Sequence, residues 1–269
     1  EKAWEQAKRL EEIDGEDFNS HYWYLRLALN MEDEQIPPEM MEEECIKLIE
    51  SDQEHPGYWQ LLGDFFCAQK RLMEGLKALR HCYRLSHREW DSVQDKIVEI
   101  AGELSQQMEK DGRNDFEFAD ICWTAHRYDK VREVLGAIEP PEGKELGWLM
   151  MMADSCYELE DYEAAWKYRK EIWDGCDEEG RVEALYLDMA RDCGLSGRVE
   201  EALELYCQTG ERFGESAQLY YLQAKLLSDN ERAAEAMEMC EKALKLEFHL
   251  EAFNLRTEIL FDRNAYALI

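Results

Sequence analysis

The feature that most constrains this chain is its self-similarity at a spacing of about 34 residues. Small residues recur at intervals of 34, 37 and 34 residues, namely Ala119, Ala153, Ala190 and Ala224. Three positions after each of them stand Cys122, Cys156, Cys193 and Leu227. A fixed period of this length predicts repeated supersecondary units that bury a continuous core by stacking.

A second series of small or β-branched residues recurs at the same intervals. Twelve residues after each alanine the chain carries another small or β-branched residue, namely Val131, Ala165, Ala202 and Ala236. Between these positions apolar residues recur at i, i+3, i+4 and i+7, and no segment alternates with period two, so we expect amphipathic helices of about 12–15 residues. Paired small residues let consecutive helices approach closely. Each unit is therefore predicted to be a helical hairpin in an all-α protein.

The clearest unit reads Trp59-Gln-Leu-Leu-Gly-Asp-Phe-Phe66, followed by Gly75, Leu79 and Cys82. The last full unit matches the same pattern at Tyr220, Ala224, Leu227, Ala236 and Ala243-Leu-Lys-Leu246. These units resemble tetratricopeptide repeats, whose pattern is W-x-x-L-G-x-x-Y, then A, then F or Y, then A, with a period of 34. Related helical repeats of the Sel1-like or HAT-like type are the alternative.

The resemblance implies a right-handed α-solenoid of about six stacked hairpins forming one repeat domain. The spacing from Gly63 to Ala119 exceeds one period by 22 residues, which indicates an extra helix or a long extension at 89–110. The expected segments are a lone helix 1–14, a degenerate unit 20–52, a unit 56–88, the extra helix 89–110, units 112–141, 145–175, 181–214 and 216–248, and a truncated unit 250–269. Because the chain opens on Glu1, we expect a fragment of a longer protein.

Composition excludes several functions. The net charge is −30, and binding to nucleic acids or to anionic membranes requires clustered Lys and Arg, which are absent. Uncharged stretches reach only nine residues, too short to cross a bilayer. The nine cysteines include no close pair and are expected to be reduced, those in the repeat filling core positions, which favours a cytoplasmic location.

Catalytic and metal-binding motifs are lacking. His81 and His87 flank Cys82, but positions i and i+6 do not share a helical face, so they do not form a metal-binding pair. Phosphate-binding glycine loops and serine elbows are absent. We expect a protein without cofactor or enzymatic activity. The alternatives are a targeting or regulatory arm of a larger protein, and an enzyme with a pocket near 89–110.

First helices of stacked hairpins line the concave side, where positions i, i+4 and i+7 form one stripe per helix. On each first helix, one such stripe contains the residue that follows the small residue. We predict that these stripes together form a partner-binding groove. Its expected residues are Asp64, Phe116, Asp120, Trp123, Met150, Asp154, Tyr157, Arg191, Tyr221 and Lys225. The alternative is that the aromatic residues pack against the next unit and that the aspartates are ordinary exposed charges.

The predicted groove is acidic at three units and basic at the last two. It would suit a protein or peptide with a basic stretch and apolar anchors, whose acidic or carboxylate end lies toward Arg191 and Lys225. Tetratricopeptide domains that hold chaperone C-terminal tails use Lys and Asn on this stripe. The corresponding positions here are Asp64, Asp120 and Asp154, so the resemblance disfavours a chaperone-tail clamp at these units.

Overall fold

A computed structural model describes residues 18–30, 36–86, 91–177 and 179–266, together with Arg9. Every regular element among these residues is an α-helix, and they contain no strand, which confirms the all-α class. The predicted lone helix 1–14 lies, apart from Arg9, outside the described residues. The chain divides into two compact units, unit 1 (Glu1–Arg127) and unit 2 (Tyr128–Ile269).

Six described helices belong to unit 1 and eight to unit 2. Those of unit 1 are α1 (Phe18–Asn30), α2 (Pro38–Ser51), α3 (Pro56–Ala68), α4 (Leu72–Leu85), α5 (Asp91–Lys110) and α6 (Phe116–Thr124). Those of unit 2 are α7 (Tyr128–Gly136), α8 (Glu145–Glu158), α9 (Tyr162–Gly175), α10 (Glu183–Leu195), α11 (Val199–Phe213), α12 (Ala217–Asp229), α13 (Ala233–Leu246) and α14 (Leu250–Tyr266).

Local chemistry explains where several helices begin. Pro38 and Pro56 stand in the first turns of α2 and α3, where a missing N–H costs nothing. Asp115, Asp161 and Ser216 cap α6, α9 and α12, each accepting a hydrogen bond from a main-chain N–H three residues later. The extra segment predicted at 89–110 contains helix α5, which buries an apolar face against α4 and α6.

The hairpin of α3 and α4 shows why small residues recur. A Cβ atom added at Gly63 would lie 2.7 Å from Cγ of Leu79 and 3.3 Å from the main-chain oxygen of Gly75. One added at Gly75 would lie 2.6 Å from the sulfur of Cys67. Real Cβ contacts are not this short, so the two helices cross where neither carries a side chain. This close approach is the one that the recurring small residues predict.

The periodic residues are core residues. The described structure buries the four alanines of the first series, the four residues of the second series and the residues that follow the alanines by three positions. Cys122, Cys156 and Cys193 are at most 1% exposed, and burial raises the pKa of Cys193 to about 11. A buried protonated thiol behaves as a small apolar side chain, which confirms the core interpretation of the repeated cysteines.

Five turns that follow first helices share one backbone conformation. Seven residues after each small-residue position the chain adopts a positive φ, at Lys70, His126, Glu160, Gly197 and Glu231. In each turn the next residue donates its N–H to a carbonyl five residues back, as Arg198 does to Cys193 at 2.8 Å. This is the Schellman arrangement, in which glycine is the preferred residue. Only one of the five turns has it.

We expect Glu160→Gly to raise the free energy of unfolding by about 1 kcal/mol, because a residue with a Cβ pays roughly that amount for the left-handed conformation. Gly197→Ala is the reverse substitution in the equivalent turn and should lower it by a similar amount. Urea denaturation of both variants tests the pair. If both substitutions lowered the free energy of unfolding, the two turns would not share this backbone strain.

Candidate functional site

The two aspartates predicted for the groove in unit 1 are already ion-paired within that unit. Asp64 on α3 accepts a hydrogen bond of 2.6 Å from Nζ of Lys96 on α5. Asp120 on α6 accepts one of 2.7 Å from Arg80 on α4, and the same guanidinium contacts the hydroxyl of Thr124. Both carboxylates therefore have a cationic partner before any ligand binds.

The two aromatic residues predicted for unit 1 lie on either side of Asp120 on α6. Trp123 exposes 37% of its surface, and Phe116 is half-buried. They share a helix face with Asp120 because they stand four residues before and three residues after it. The structure thus brings Phe116, Asp120 and Trp123 together on one helix.

In unit 2, Asp154 belongs to a partly buried cluster of charges. The guanidinium of Arg169 on α9 donates to Asp154 on α8 at 2.9 Å and to Asp192 on α10 at 2.5 Å, and lies 4.0 Å from Asp188. The side chain of Arg169 is 8% exposed and that of Asp192 is 1% exposed. Three carboxylates share this one buried cation.

Burial raises the pKa values of two acids in this cluster. Burial raises the pKa of Asp192 to about 6, and Arg169 offsets only part of that effect. Oδ1 of Asp192 is buried without a hydrogen-bond partner among the described residues, which also disfavours the ionised form. Burial likewise raises the pKa of Asp154, against the opposing charge of Arg169.

Three other predicted residues of unit 2 line one cleft. Tyr157 on α8, Arg191 on α10 and Lys225 on α12 face a cavity of about 260 Å³. Its apolar walls are formed by Leu195, Leu222 and Leu226, and the buried Tyr206 of α11 also lines it. The three first helices of successive hairpins thus meet at a small apolar cleft whose charged lining residues are Arg191, Lys225 and Asp229.

The two cations of this cleft form only long ion pairs with the carboxylates of their own helices. Arg191 donates to Asp188 at 3.4 Å, and its guanidinium lies 5.7 Å from the centre of the Tyr157 ring. Nζ of Lys225 is 4.0 Å from Asp229, and that lysine side chain is 57% exposed. Charge-assisted hydrogen bonds are usually 2.7–2.9 Å, so both cations can take a further acceptor.

Met150 and Tyr221, the other predicted residues of unit 2, do not line this cleft. Met150 is half-exposed on α8. The ring of Tyr221 on α12 lies 5.2 Å from that of His249. Three of the six groove residues predicted for unit 2 therefore lie in one cleft. Their role in binding stays a prediction.

The sequence reasoning missed two aspartates of α10, Asp188 and Asp192, that pair with arginines of unit 2. Asp188 contacts both Arg191 and Arg169, and Asp192 is the closest partner of Arg169. One signal was available: Asp188 and Asp192 stand four residues apart on α10, beside the predicted Arg191. Such a pair shares a helix face, and burial of that face requires a compensating cation.

The described residues contain no group of three or more His, Cys, Asp and Glu side chains placed to hold a metal ion. Within the same part of the chain, no helix combines the length and the apolar character needed to cross a membrane. All nine cysteines are free thiols.

No family model and no curated protein matches the chain. Similar solved structures include that of YrrB, described as a TPR protein with an unusual peptide-binding site, which is 16% identical with a TM-score of 0.41 over 80% of this chain and 99% of the other. A tetratricopeptide repeat protein from Parabacteroides merdae is 13% identical, with a TM-score of 0.41 over 97% and 100%. Yeast Tom70 is 15% identical, with a TM-score of 0.46 over 92% and 47%.

The buried cluster predicts a specific pH dependence. Because the pKa of Asp192 is higher in the folded protein than in the unfolded chain, its contribution to stability is present at low pH and is lost as pH rises through about 6. This carboxyl should make the free energy of unfolding about 1 kcal/mol larger at pH 5 than at pH 7. Asp192→Asn should remove that increment, as measured by urea denaturation at both pH values.

Asp174→Asn is the matched control, because Asp174 is exposed and, within the part of the chain that the structure describes, pairs only with Lys170 on its own helix. It should keep the wild-type difference between pH 5 and pH 7. If Asp192→Asn also kept that difference, Asp192 would not be the group that takes up the proton.

Proposed function

We propose that the chain is a protein-interaction scaffold and that unit 2 holds a peptide segment in the cleft of Tyr157, Arg191 and Lys225. The observation that carries this proposal is the placement of two accessible cations beside leucine walls at the junction of three first helices. An apolar side chain fits the leucine walls, and a carboxylate fits the cations. The ligand is therefore a segment with an apolar residue next to an acidic side chain or a chain terminus.

The electrostatics favour this acidic ligand over a basic one. At Asp64 and Asp120 a basic ligand would have to displace Lys96 or Arg80 from hydrogen bonds of 2.6 and 2.7 Å. Such an exchange gains little, because one ion pair replaces another. At the unit 2 cleft a ligand carboxylate adds hydrogen bonds to Arg191 and Lys225 without breaking a short one.

Rigid display is the proposed mechanism. The walls of the cleft belong to helices whose buried faces are fixed by hairpin packing, as at Ala190, which is fully buried. A preformed surface loses little conformational entropy when a ligand binds, so a small cleft can support useful affinity. The nine free thiols support a reducing compartment, and we place this activity in the cytoplasm.

Binding is testable without knowing the natural partner. Twelve-residue peptides selected from a random library on the full chain should carry an apolar residue beside Asp, Glu or a free C-terminus. For a selected peptide, Arg191→Ala and Lys225→Ala should each weaken binding about tenfold, which corresponds to one lost charge-assisted contact. Fluorescence anisotropy with labelled peptide measures the dissociation constants.

Lys167→Ala is the matched control. Lys167 is 62% exposed and pairs with a carboxylate one helical turn away, as Lys225 does, but it lies on α9 and does not line the cleft. It should bind the peptide like the wild type. Equal affinity in the Arg191 and Lys225 variants, or a selected peptide without any carboxylate near its apolar residue, would refute the proposed ligand class.

A further inference from the structure

A series of ion pairs joins the unit 2 cleft to the buried side of α10. Arg191, which lines the cleft, donates to Asp188 at 3.4 Å. Asp188 lies 4.0 Å from Nε of Arg169, and Nη1 of Arg169 donates to Asp192 at 2.5 Å. The ring of Tyr157, another residue of the cleft, has its centre 5.7 Å from each of the two guanidinium groups. A charge placed beside Arg191 is therefore only a few contacts away from Asp192.

This series contains more carboxylates than cations. Arg169 also donates to Asp154 at 2.9 Å, so two arginines face three carboxylates. A ligand carboxylate at Arg191 brings a fourth anion to the same region. Like charges repel strongly where water is partly excluded, and a carboxylate relieves the repulsion by taking up a proton.

The other titratable groups around this series, among the described residues, carry no charge at pH 5–7 or pair with one another. Burial raises the pKa values of two neighbouring thiols and one phenol, those of Cys156, Cys193 and Tyr206. Next to Cys193 stand Arg198, Glu163 and Glu201, and the arginine pairs with the two glutamates at 3.3 and 3.5 Å. The acids of the series are therefore the groups that can take up the proton.

Asp192 is the acid best placed to do so. Its side chain is 1% exposed, whereas those of Asp154 and Asp188 are 36% and 38% exposed. Arg169 donates to Oδ2 of Asp192, and Oδ1 is buried with no hydrogen-bond partner among the described residues. A proton on Oδ1 removes the charge and leaves the bond from Arg169 in place. Burial raises the pKa of Asp192 to about 6, so this proton binds between pH 5 and pH 7.

We propose that binding of a carboxylate in the cleft of Tyr157, Arg191 and Lys225 is coupled to the uptake of a proton by Asp192. The coupling rests on the proposed function, because it needs a ligand anion at Arg191. It is reciprocal: the bound carboxylate favours protonated Asp192, and protonated Asp192 favours the bound carboxylate. The cleft therefore binds acidic segments more tightly in mildly acidic solution than at neutral pH.

The test uses N-acetyl-leucyl-leucine as the probe, because it carries an apolar side chain beside a free C-terminal carboxylate. It is titrated into the full chain labelled with ¹³C in the tyrosine rings, and the Tyr157 signal gives the dissociation constant. We expect binding about fivefold tighter at pH 5 than at pH 7. Protonation of the probe itself would act in the opposite direction, since it removes the ligand charge. The C-terminal amide of the same dipeptide should bind weakly and equally at both pH values.

Asp192→Asn fixes this side chain in an uncharged form. It should bind the probe at pH 7 as tightly as the wild type does at pH 5, with no difference between the two pH values. Asp174→Asn is again the control, because Asp174 is exposed and pairs with Lys170 on its own helix. It should keep the wild-type difference.

A measurement on the wild type needs no variant to fold. The assigned ¹³C signal of the Asp192 carboxyl group is followed against pH, with and without saturating probe. The probe should move the midpoint of this titration to higher pH, because the bound carboxylate favours the protonated form.

The outcomes separate this proposal from the proposed function. A probe that does not bind, or that binds Arg191→Ala as tightly as the wild type, would refute both. Binding that depends on Arg191 but is equally strong at pH 5 and pH 7, or an Asp192 midpoint that the probe leaves in place, would refute the coupling alone. A pH difference that persists in Asp192→Asn would also refute it, because another group would then take up the proton.

Discussion

The close approach of paired helices at small residues is the constraint on which the rest of this structure depends. At Gly63 and Gly75 the two backbones come so near that neither position has room for a Cβ atom. The alanines at the equivalent positions of unit 2 are buried to within 1% of their surface. Once these residues are placed at the crossing, the helical period determines which neighbours enter the core and which face outward.

The cleft of Tyr157, Arg191 and Lys225 follows from that register. The residue after the small residue faces outward, and in the last two hairpins it is Arg191 or Lys225. The residue before it faces the core. In the hairpin of α12 and α13 this residue is Gln223, whereas the other hairpins have leucine, phenylalanine or methionine there. Neighbouring positions on one helix thus divide between the cleft and the core.

The sequence is sufficient to predict the helices and much of their core, because residues 34 apart repeat the same chemistry. It also identifies three residues of one cleft, Tyr157, Arg191 and Lys225. It does not reveal the ion pairs, because Lys96 and Arg80 lie 32 and 40 residues from the aspartates they bind. Such pairs depend on which helices become neighbours and on side-chain length, and neither has a sequence period. The left-handed turns were hidden for a related reason: only Gly197 marks a conformation that four other residues also adopt.

The most direct measurement of binding at the unit 2 cleft is a crystal structure of the full chain with a library-selected peptide bound. We expect the peptide to lie against α10 and α12, with a carboxylate within hydrogen-bonding distance of Arg191 and Lys225 and an apolar side chain against Leu222 and Leu226. A peptide bound elsewhere, with Arg191 and Lys225 still turned to Asp188 and Asp229, would contradict it.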